Sequence, residues 1–544
     1  MHFGFLRAGL LAQRLCGASC VALAGAATAH AAQMLDTSIP AAVAEHAAVL
    51  AGKPQPGQVL HLVVSLPLRN TAALDQLLAD IYNPASPNFR HYLSVADFTA
   101  RFGPTPEDYA ATVNFLTTQG LNVTRQTANR YLIDVDATVA DVERVFHVQM
   151  GLYKHPTENR LFISPDRAPT LDLAVPVQQI IGLDNFVLPT PRFVHSTAAI
   201  GPRTGSGPGG QFDGNDIRKA YYPGGTLTGA GQSVGLMELA GLNVSDVNEF
   251  FSSGFGPVNA VPIDLISTDG APVTCDPSSC DDTEQALDVE YAISMAPGLA
   301  SVRVYVGNTA EDVLNSMATD NISKVLSTSW GWNENFQTDD GLFKEFAAQG
   351  QTNLTASGDY SSLSASGPWP EEDANITAVG GTDLSMSGNG ANWAGEKGWR
   401  HSAGGPSLDR QIKIESYQLP YINTTNAGST KLRNVPDVAA SADDDMEICI
   451  DGYCTGGYGG TSFASPIWAG YIAITNEYAT RKKQPVVGFI NPAIYAIGQT
   501  AAYSTAFHDE IHGKSGRFSC TTSYDLVTGL GSPHSSGLLQ ALVP

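Results

Sequence analysis

The sequence is short of charge, and of positive charge most of all. Charged residues make up 15% of its 544 positions, against about 25% in an average soluble protein. Lys and Arg number 30 against 53 Asp and Glu, a formal net charge of −23. So few cations leave no face for a phosphate backbone, which excludes nucleic acid as the main partner. A surplus of carboxylates suits acid, where many of them become neutral. Long apolar runs are also lacking. One run, Leu15 to Ala29, follows Arg7 and Arg14 and leads to Ala29-His30-Ala31, the pattern of a secretory signal rather than of a bilayer span. Residues 1–32 are therefore read as a signal peptide on a secreted chain, with no membrane attachment after its removal. Cysteine is scarce as well: 7 in all, with Cys16 and Cys20 inside the signal. The close pairs Cys275/Cys280 and Cys449/Cys454 are expected to staple loops, since export permits disulfides. No His–Cys cluster accompanies them, which argues against zinc.

What is present divides into two textures. Residues 33–187 read as one α+β unit. Val59–Val64 has the look of a strand, and Leu74, Leu77, Leu78 and Ile81 recur at helical spacing. Thr105, Pro106 and Asp108 open a second helix that Gly120 closes. Strands follow near Leu121–Arg125 and Tyr131–Val135, then a helix at Val139–Phe146 and a strand at Val148–Tyr153. The order β-α-β-β-α-β predicts a ferredoxin-like fold. Residues 188–210, with Pro189, Pro191, Pro202 and Pro208, read as an exposed linker open to proteolysis. From 211 to 544, apolar β-branched runs alternate with helical stretches. That predicts an α/β domain with a mostly parallel central sheet flanked by helices.

The sharpest motif is Gly459-Gly460-Thr461-Ser462-Phe463-Ala464-Ser465-Pro466. It runs Gly-rich backbone into a helix and sets a serine at the helix N-terminus, where free N–H groups can meet an oxyanion. Taken alone, Thr461 or Ser462 caps that helix just as well. The octet resembles the nucleophile segment of subtilisin-like peptidases. A serine nucleophile needs a base, yet no His-Gly-Thr segment exists, and His401 is the single histidine between His195 and Ser462. The alternative base lies in Thr283-Glu284-Gln285-Ala286-Leu287-Asp288, where Glu284 and Asp288 share a helix face and can titrate as a unit. An isolated acidic pair there would more often just complement the helix dipole. Asp359, in Ala356-Ser357-Gly358-Asp359-Tyr360 at a strand end, could donate to an oxyanion when protonated, or could simply sit in a turn.

Glu284 with Asp288, then Asp359, then Ser462 in Gly-Thr-Ser-x-x-x-Pro, together resemble the sedolisin family of serine-carboxyl peptidases, whose fold is subtilisin-like. The N-terminal unit, with Ser86-Pro87-Asn88-Phe89-Arg90-His91-Tyr92-Leu93, resembles a kumamolisin-type activation propeptide. The resemblance implies Ser462 as nucleophile, Glu284 as base and then acid, Asp288 as its partner and Asp359 as the oxyanion-stabilising acid. It implies cleft or supporting roles for Glu238, Ser329, Trp330 and Gly331. It also implies one Ca2+ site, from the carboxylates of Asp509 and Asp525 and the carbonyls of Glu510, Thr521 and Ser523. Here the sequence departs from the family: Thr521 and Ser523 stand where glycines are usual, and Tyr524 replaces a Trp. The resemblance implies a secreted monomer acting on protein and peptide substrates, with its own propeptide as inhibitor. A Glu base, with a reference pKa of about 4.3, fits acid operation. His61, His91, His147 and His155 are candidates for loosening the propeptide in acid. Three rivals stay open: a tripeptidyl-peptidase of the same family, a divergent neutral subtilisin using His401, and a catalytically dead binding protein.

Overall fold

The computed structural model describes residues 33–35, 39–196, 204–257, 261–363 and 369–544. The expected signal, and residues 197–203 of the expected linker, lie outside them.

In the N-terminal unit, strand Val59–Ser65 is central to a four-stranded antiparallel sheet in the order 122–126, 132–138, 59–65, 179–181. Helix Pro106–Thr118 starts as its sequence dictates: Thr105 Oγ1 accepts from Asp108 N at 3.0 Å and donates to the Asp108 carboxylate at 2.7 Å. Gly120 follows with φ 84°. The ferredoxin-like order holds for three of the four strands. The expected fourth strand, Val148–Tyr153, instead contributes Met150–Lys154 to a separate sheet, between Leu50–Gly52 and Leu161–Pro165. A hairpin partner a few residues away costs little closure entropy. The vacant edge is taken by Gln179–Ile181, whose Ile180 and Ile181 are buried.

The C-terminal unit is built on an eight-stranded sheet. Strands run in the order 263–267, 301–306, 233–238, 325–328, 352–356, 377–387, and both 438–441 and 392–398 pair with the last of these. All pairings are parallel except that of Asn392–Gly398. A parallel sheet must be covered on both faces, and alternate residues serve the two covers. Val234, Leu236, Val302, Val304 and Val325 face one core, shared with helices Thr283–Met295 and Thr461–Arg481. Met237, Tyr305 and Leu326 face the other, shared with helices Ala310–Asp320 and Phe336–Ala348.

That second core also takes in Val63, Tyr131, Leu132 and Ile181 of the N-terminal sheet, so this sheet docks on helices Ala310–Asp320 and Phe336–Ala348. Polar contacts rim the junction. Arg125 reaches Asp312 at 2.9 Å and Ser316 at 2.8 Å, Asn129 reaches Asn315 at 2.7 Å, and Thr338 Oγ1 donates to Gln179 at 2.6 Å. Of the histidines expected to work at this contact, His61 pairs with Asp136 and lines a cavity at the junction with Thr268, Asp269 and Asp312, while His147 pairs with Asp172 and His155 packs against Phe186 within the N-terminal unit. His91 is exposed. Cys275–Cys280 and Cys449–Cys454 form the two expected disulfides, and Cys520 is a buried free thiol. Among the described residues, no helix is long and apolar enough to cross a membrane.

Candidate active site

Two packed helices bring the chemistry together. All 13 residues of Thr283–Met295 are buried, and the four-residue spacing puts Glu284 and Asp288 on one face. Helix Thr461–Arg481 lies close against it. A Cβ on Gly470 would stand 2.6 Å from Met295 Cβ and 2.9 Å from the Ala292 carbonyl. Ser462 occupies the second position of this helix, after Gly460 with φ 122°. Pro466 has no N–H, so the Ser462 carbonyl lacks its helical donor; Ser329 Oγ stands 3.4 Å from it. The Ser462 hydroxyl donates to the Ser329 carbonyl at 3.5 Å.

Behind Ser462 lies a chain of buried carboxyls. Burial first, and then the Asp288 charge, push Glu284 well up, while the Ser462 hydroxyl opposes the shift. Burial pushes Asp288 up to about 8, against hydrogen bonds from Ser329 (2.8 Å) and Glu238. Glu238 is pushed up by burial and by Asp288, and accepts from Trp330 Nε1 at 2.9 Å. Like charges so close cannot all ionise, so these three carboxyls share protons. On the other side of Ser462, Asp359 Oδ1 accepts from Thr461 N at 2.8 Å and from Thr461 Oγ1 at 2.9 Å. Its Oδ2 is buried with no hydrogen-bond partner, and burial pushes the group up to about 7. Below that pH it carries a proton to donate.

Where it crosses this centre the expected linker is buried at Arg192 and half-buried at Phe193 and Val194, while Leu188 to Pro191 and His195 are exposed as expected. The prolines at 189 and 191 hold Leu188 and Thr190 extended, and the chain then makes β pairs on both sides of Ser462. Thr190 pairs with Gly331 and Pro191 with Trp330, while Val194 pairs with Gly459 and His195 with Tyr458. Between the pairs, Arg192 N donates to the Ser329 carbonyl at 3.0 Å and to Glu284 Oε2 at 3.1 Å. The Arg192 carbonyl accepts from Ser462 N at 3.0 Å. A Cβ on Gly460 would lie 2.5 Å from that carbonyl oxygen, 2.7 Å from Phe193 Cα and 2.8 Å from Asp359 Oδ2. Glycine is needed there because backbone passes through the space.

The expected residues Ser462, Glu284, Asp288, Asp359, Glu238, Ser329, Trp330 and Gly331 are thus gathered in one place. His401 is not among them: its ring packs on Trp399 at 5.3 Å and faces Arg400, Asp443 and Asp444. Sequence reasoning missed Arg192, Tyr360 and Glu371, which meet in the same cleft. The signal available for Arg192 was the extended Thr-Pro-Arg-Phe-Val run, hidden by reading its prolines as linker.

The C-terminal loop wraps the two expected acidic side chains. Asp509 accepts from Ser523 N at 3.1 and 3.0 Å, and Asp525 accepts from Thr521 N, Val527 N and Thr528 N at 2.8 to 2.9 Å. Ser523 adopts φ 68°, the left-handed form a glycine would take. The Glu510 side chain accepts from Ser532 at 3.2 Å. Among the described residues, no group of three or more His, Cys, Asp or Glu side chains is placed to hold a metal. An ion here would rest on two carboxylates and backbone carbonyls. Glu510 Oε2 is buried with no hydrogen-bond partner, and an all-oxygen donor set of this kind is what a hard cation takes.

Known proteins share this layout. Residues 46–186 match the family model of the pro-kumamolisin activation domain. Kumamolisin of Bacillus sp. (strain MN-32) is 29% identical over 508 residues, covering 86% of this chain and 90% of its own. Sedolisin of Pseudomonas sp. (strain 101) is 27% identical over 531 residues, covering 88% and 86%. The solved structure of Pseudomonas sedolisin, a serine-carboxyl proteinase complexed with two molecules of pseudo-iodotyrostatin, superposes with a TM-score of 0.53 at 23% identity, covering 61% of this chain and 97% of its own. With a matching propeptide, relatives over most of the length and a shared subtilisin-like fold, the chain is similar throughout to the serine-carboxyl peptidases of the sedolisin family.

Proposed function

We propose that this proenzyme is exported and, once activated, cleaves protein and peptide substrates in acid as a monomeric endopeptidase, through an acyl-enzyme on Ser462. The observation that carries this reading is the peptide carbonyl of Arg192, which accepts from Ser462 N at 3.0 Å beside the open Oδ2 of Asp359. In a bound substrate, Ser462 Oγ attacks the carbonyl carbon and its proton passes to Glu284. Asp288 and Glu238, hydrogen-bonded behind, set how readily Glu284 holds that proton. Ser462 N–H and protonated Asp359 stabilise the oxyanion. Glu284 then protonates the leaving amine, and in the second half of the reaction activates water against the ester.

Endopeptidase action is favoured over tripeptidyl release because the chain runs on past Thr190 to Pro189 and Leu188, with Leu188 and Pro189 exposed. A cleft that takes more than three residues before the reacting carbonyl does not select a free N-terminus. The test is cleavage of a denatured protein across pH by the wild type, Ser462→Ala, Glu284→Gln and His401→Ala. Loss of about 10⁴-fold or more is expected for Ser462→Ala and Glu284→Gln, with an acidic optimum and activity retained in His401→Ala. Neutral activity that survives Glu284→Gln and dies with His401→Ala sinks the proposal. We further propose that Asp509, Asp525 and the carbonyls of Glu510, Thr521 and Ser523 bind calcium, which would neutralise the carboxylates and tie the C-terminal loop. Chelation should then lower the thermal midpoint, and elemental analysis should find one calcium per chain.

A further inference from the structure

The peptide bond that threads the centre has a side chain in a pocket of its own. Arg192 is 3% exposed. Its Nη2 meets Glu371 Oε2 at 2.8 Å and the Trp369 carbonyl at 3.4 Å, and its Nη1 donates to the Tyr360 hydroxyl at 3.0 Å. Tyr360 in turn donates to Glu371. Glu371 is 1% exposed, so the ion pair is sealed from water. A Cβ on Gly358 would lie 2.3 Å from Arg192 Nη1, which makes room for a guanidinium. Burying a charge is costly unless it is paired, and here pocket and side chain are complementary in charge, hydrogen bonds and space.

We propose that Arg192–Phe193 is the bond cut to release the propeptide, and that Glu371, with Tyr360, makes the enzyme select arginine or lysine on the acyl side of the bonds it cleaves. The proposal rests on Ser462 being the nucleophile. The register supports it: Arg192 is the residue whose N–H meets the Ser329 carbonyl and whose carbonyl meets Ser462 N. Ser462 Oγ forms an ester with the Arg192 carbonyl carbon, and the Arg192–Phe193 C–N bond breaks. The hydroxyl proton reaches the Phe193 nitrogen by way of Glu284. Water then hydrolyses the ester, leaving a carboxylate on Arg192 and restoring the Ser462 hydroxyl. The same pocket, emptied, then receives a basic side chain from each later substrate.

The first new N-terminus formed when the full-length wild type is brought to acid should be Phe193, read by N-terminal sequencing at early times. On peptides identical except at the acyl-side residue, the activated wild type should favour Arg over citrulline, its neutral isostere, by about 100-fold or more in kcat/KM, because a citrulline leaves Glu371 unpaired. Glu371→Gln should bring that ratio close to unity, with the change mostly in KM for Arg. A first cut elsewhere, a wild-type ratio near unity, or an unchanged ratio in Glu371→Gln each overturns the proposal. The first two need no variant, so a Glu371→Gln chain that fails to fold does not shield it. A Ser462→Ala chain that still processes itself in acid sinks the reading of the centre instead, and the wild-type ratio still decides the pocket.

Discussion

Asp359 shows how one residue's burial sets a working range. Its carboxyl would titrate near 3.8 in the open chain, and burial moves it to about 7. A donor proton is therefore present below about neutrality and is lost as pH rises through that value. Glu284 must do the opposite and accept a proton, so the two acids divide the labour only where Asp359 is still protonated. Asp359→Ala should lower kcat by about 10²–10³-fold below neutrality, the usual loss for one oxyanion donor, and by less above it, where the wild type has lost the same proton. Asp359→Asn keeps an N–H donor that does not titrate, so the fall of kcat/KM above neutrality should shift upward in its pH–rate profile. An unshifted alkaline limb in Asp359→Asn would show that another group sets it. This residue was legible in the sequence only as a role attached to a motif. Its proposed donor role follows from a neighbour 102 residues on, Thr461, which occupies one oxygen and leaves the other open.

Among elements, the decisive fact is how closely two helices approach. Helices Thr283–Met295 and Thr461–Arg481 carry the proposed base and nucleophile, and at Gly470 they stand close together. Gly470→Val adds atoms where backbone and Met295 already stand, so the helices must part. The expected cost is about 1–3 kcal/mol of stability and, because displacement of about 1 Å can cost 10²-fold in rate, a fall in kcat of at least tenfold with KM little changed. Thermal unfolding and steady-state kinetics on one preparation check both. Unchanged kcat with lowered stability would mean that the helices yield elsewhere. Local elements were well marked in the sequence: the Thr105 cap, the Gly120 stop and the β-branched strands are short-range signals. Partner choice was not. The alternation of Val148–Tyr153 reads as a strand whichever sheet it joins, and Gln179–Ile181 is too short for periodicity to identify. The segment around Arg192 was obscured for a similar reason. Proline signals an extended chain, and whether that chain faces water or a cleft depends on residues far along the sequence.

The whole molecule carries an unusual electrostatic load. Beyond the centre, burial pushes Asp184, Asp213 and Asp282 up to about 6, Glu311 and Glu345 up to about 7, and Asp373 up to about 8. Each folded value lies above the 3.8 or 4.5 of an open carboxyl, so the folded state holds more protons than the unfolded chain between those limits. Linkage then fixes the sign: this stability is fully present below about pH 4 and is lost as pH rises through about 6 to 8. Net charge works the same way, since −23 at pH 7 against an isoelectric point near 4.8 means self-repulsion that acid removes. Ser462→Ala proenzyme, which by the proposed mechanism cannot digest itself, should therefore melt roughly 10 °C higher at about pH 4 than at about pH 8, a shift worth about 10 kcal/mol for a chain of this length. Its midpoint should fall most steeply between about pH 5 and 6, where all of these groups are protonated in the folded state alone. A midpoint that rises from acid to neutral would mean that ion pairs outweigh the buried neutral carboxyls. The low charge content would then reflect solubility rather than life in acid.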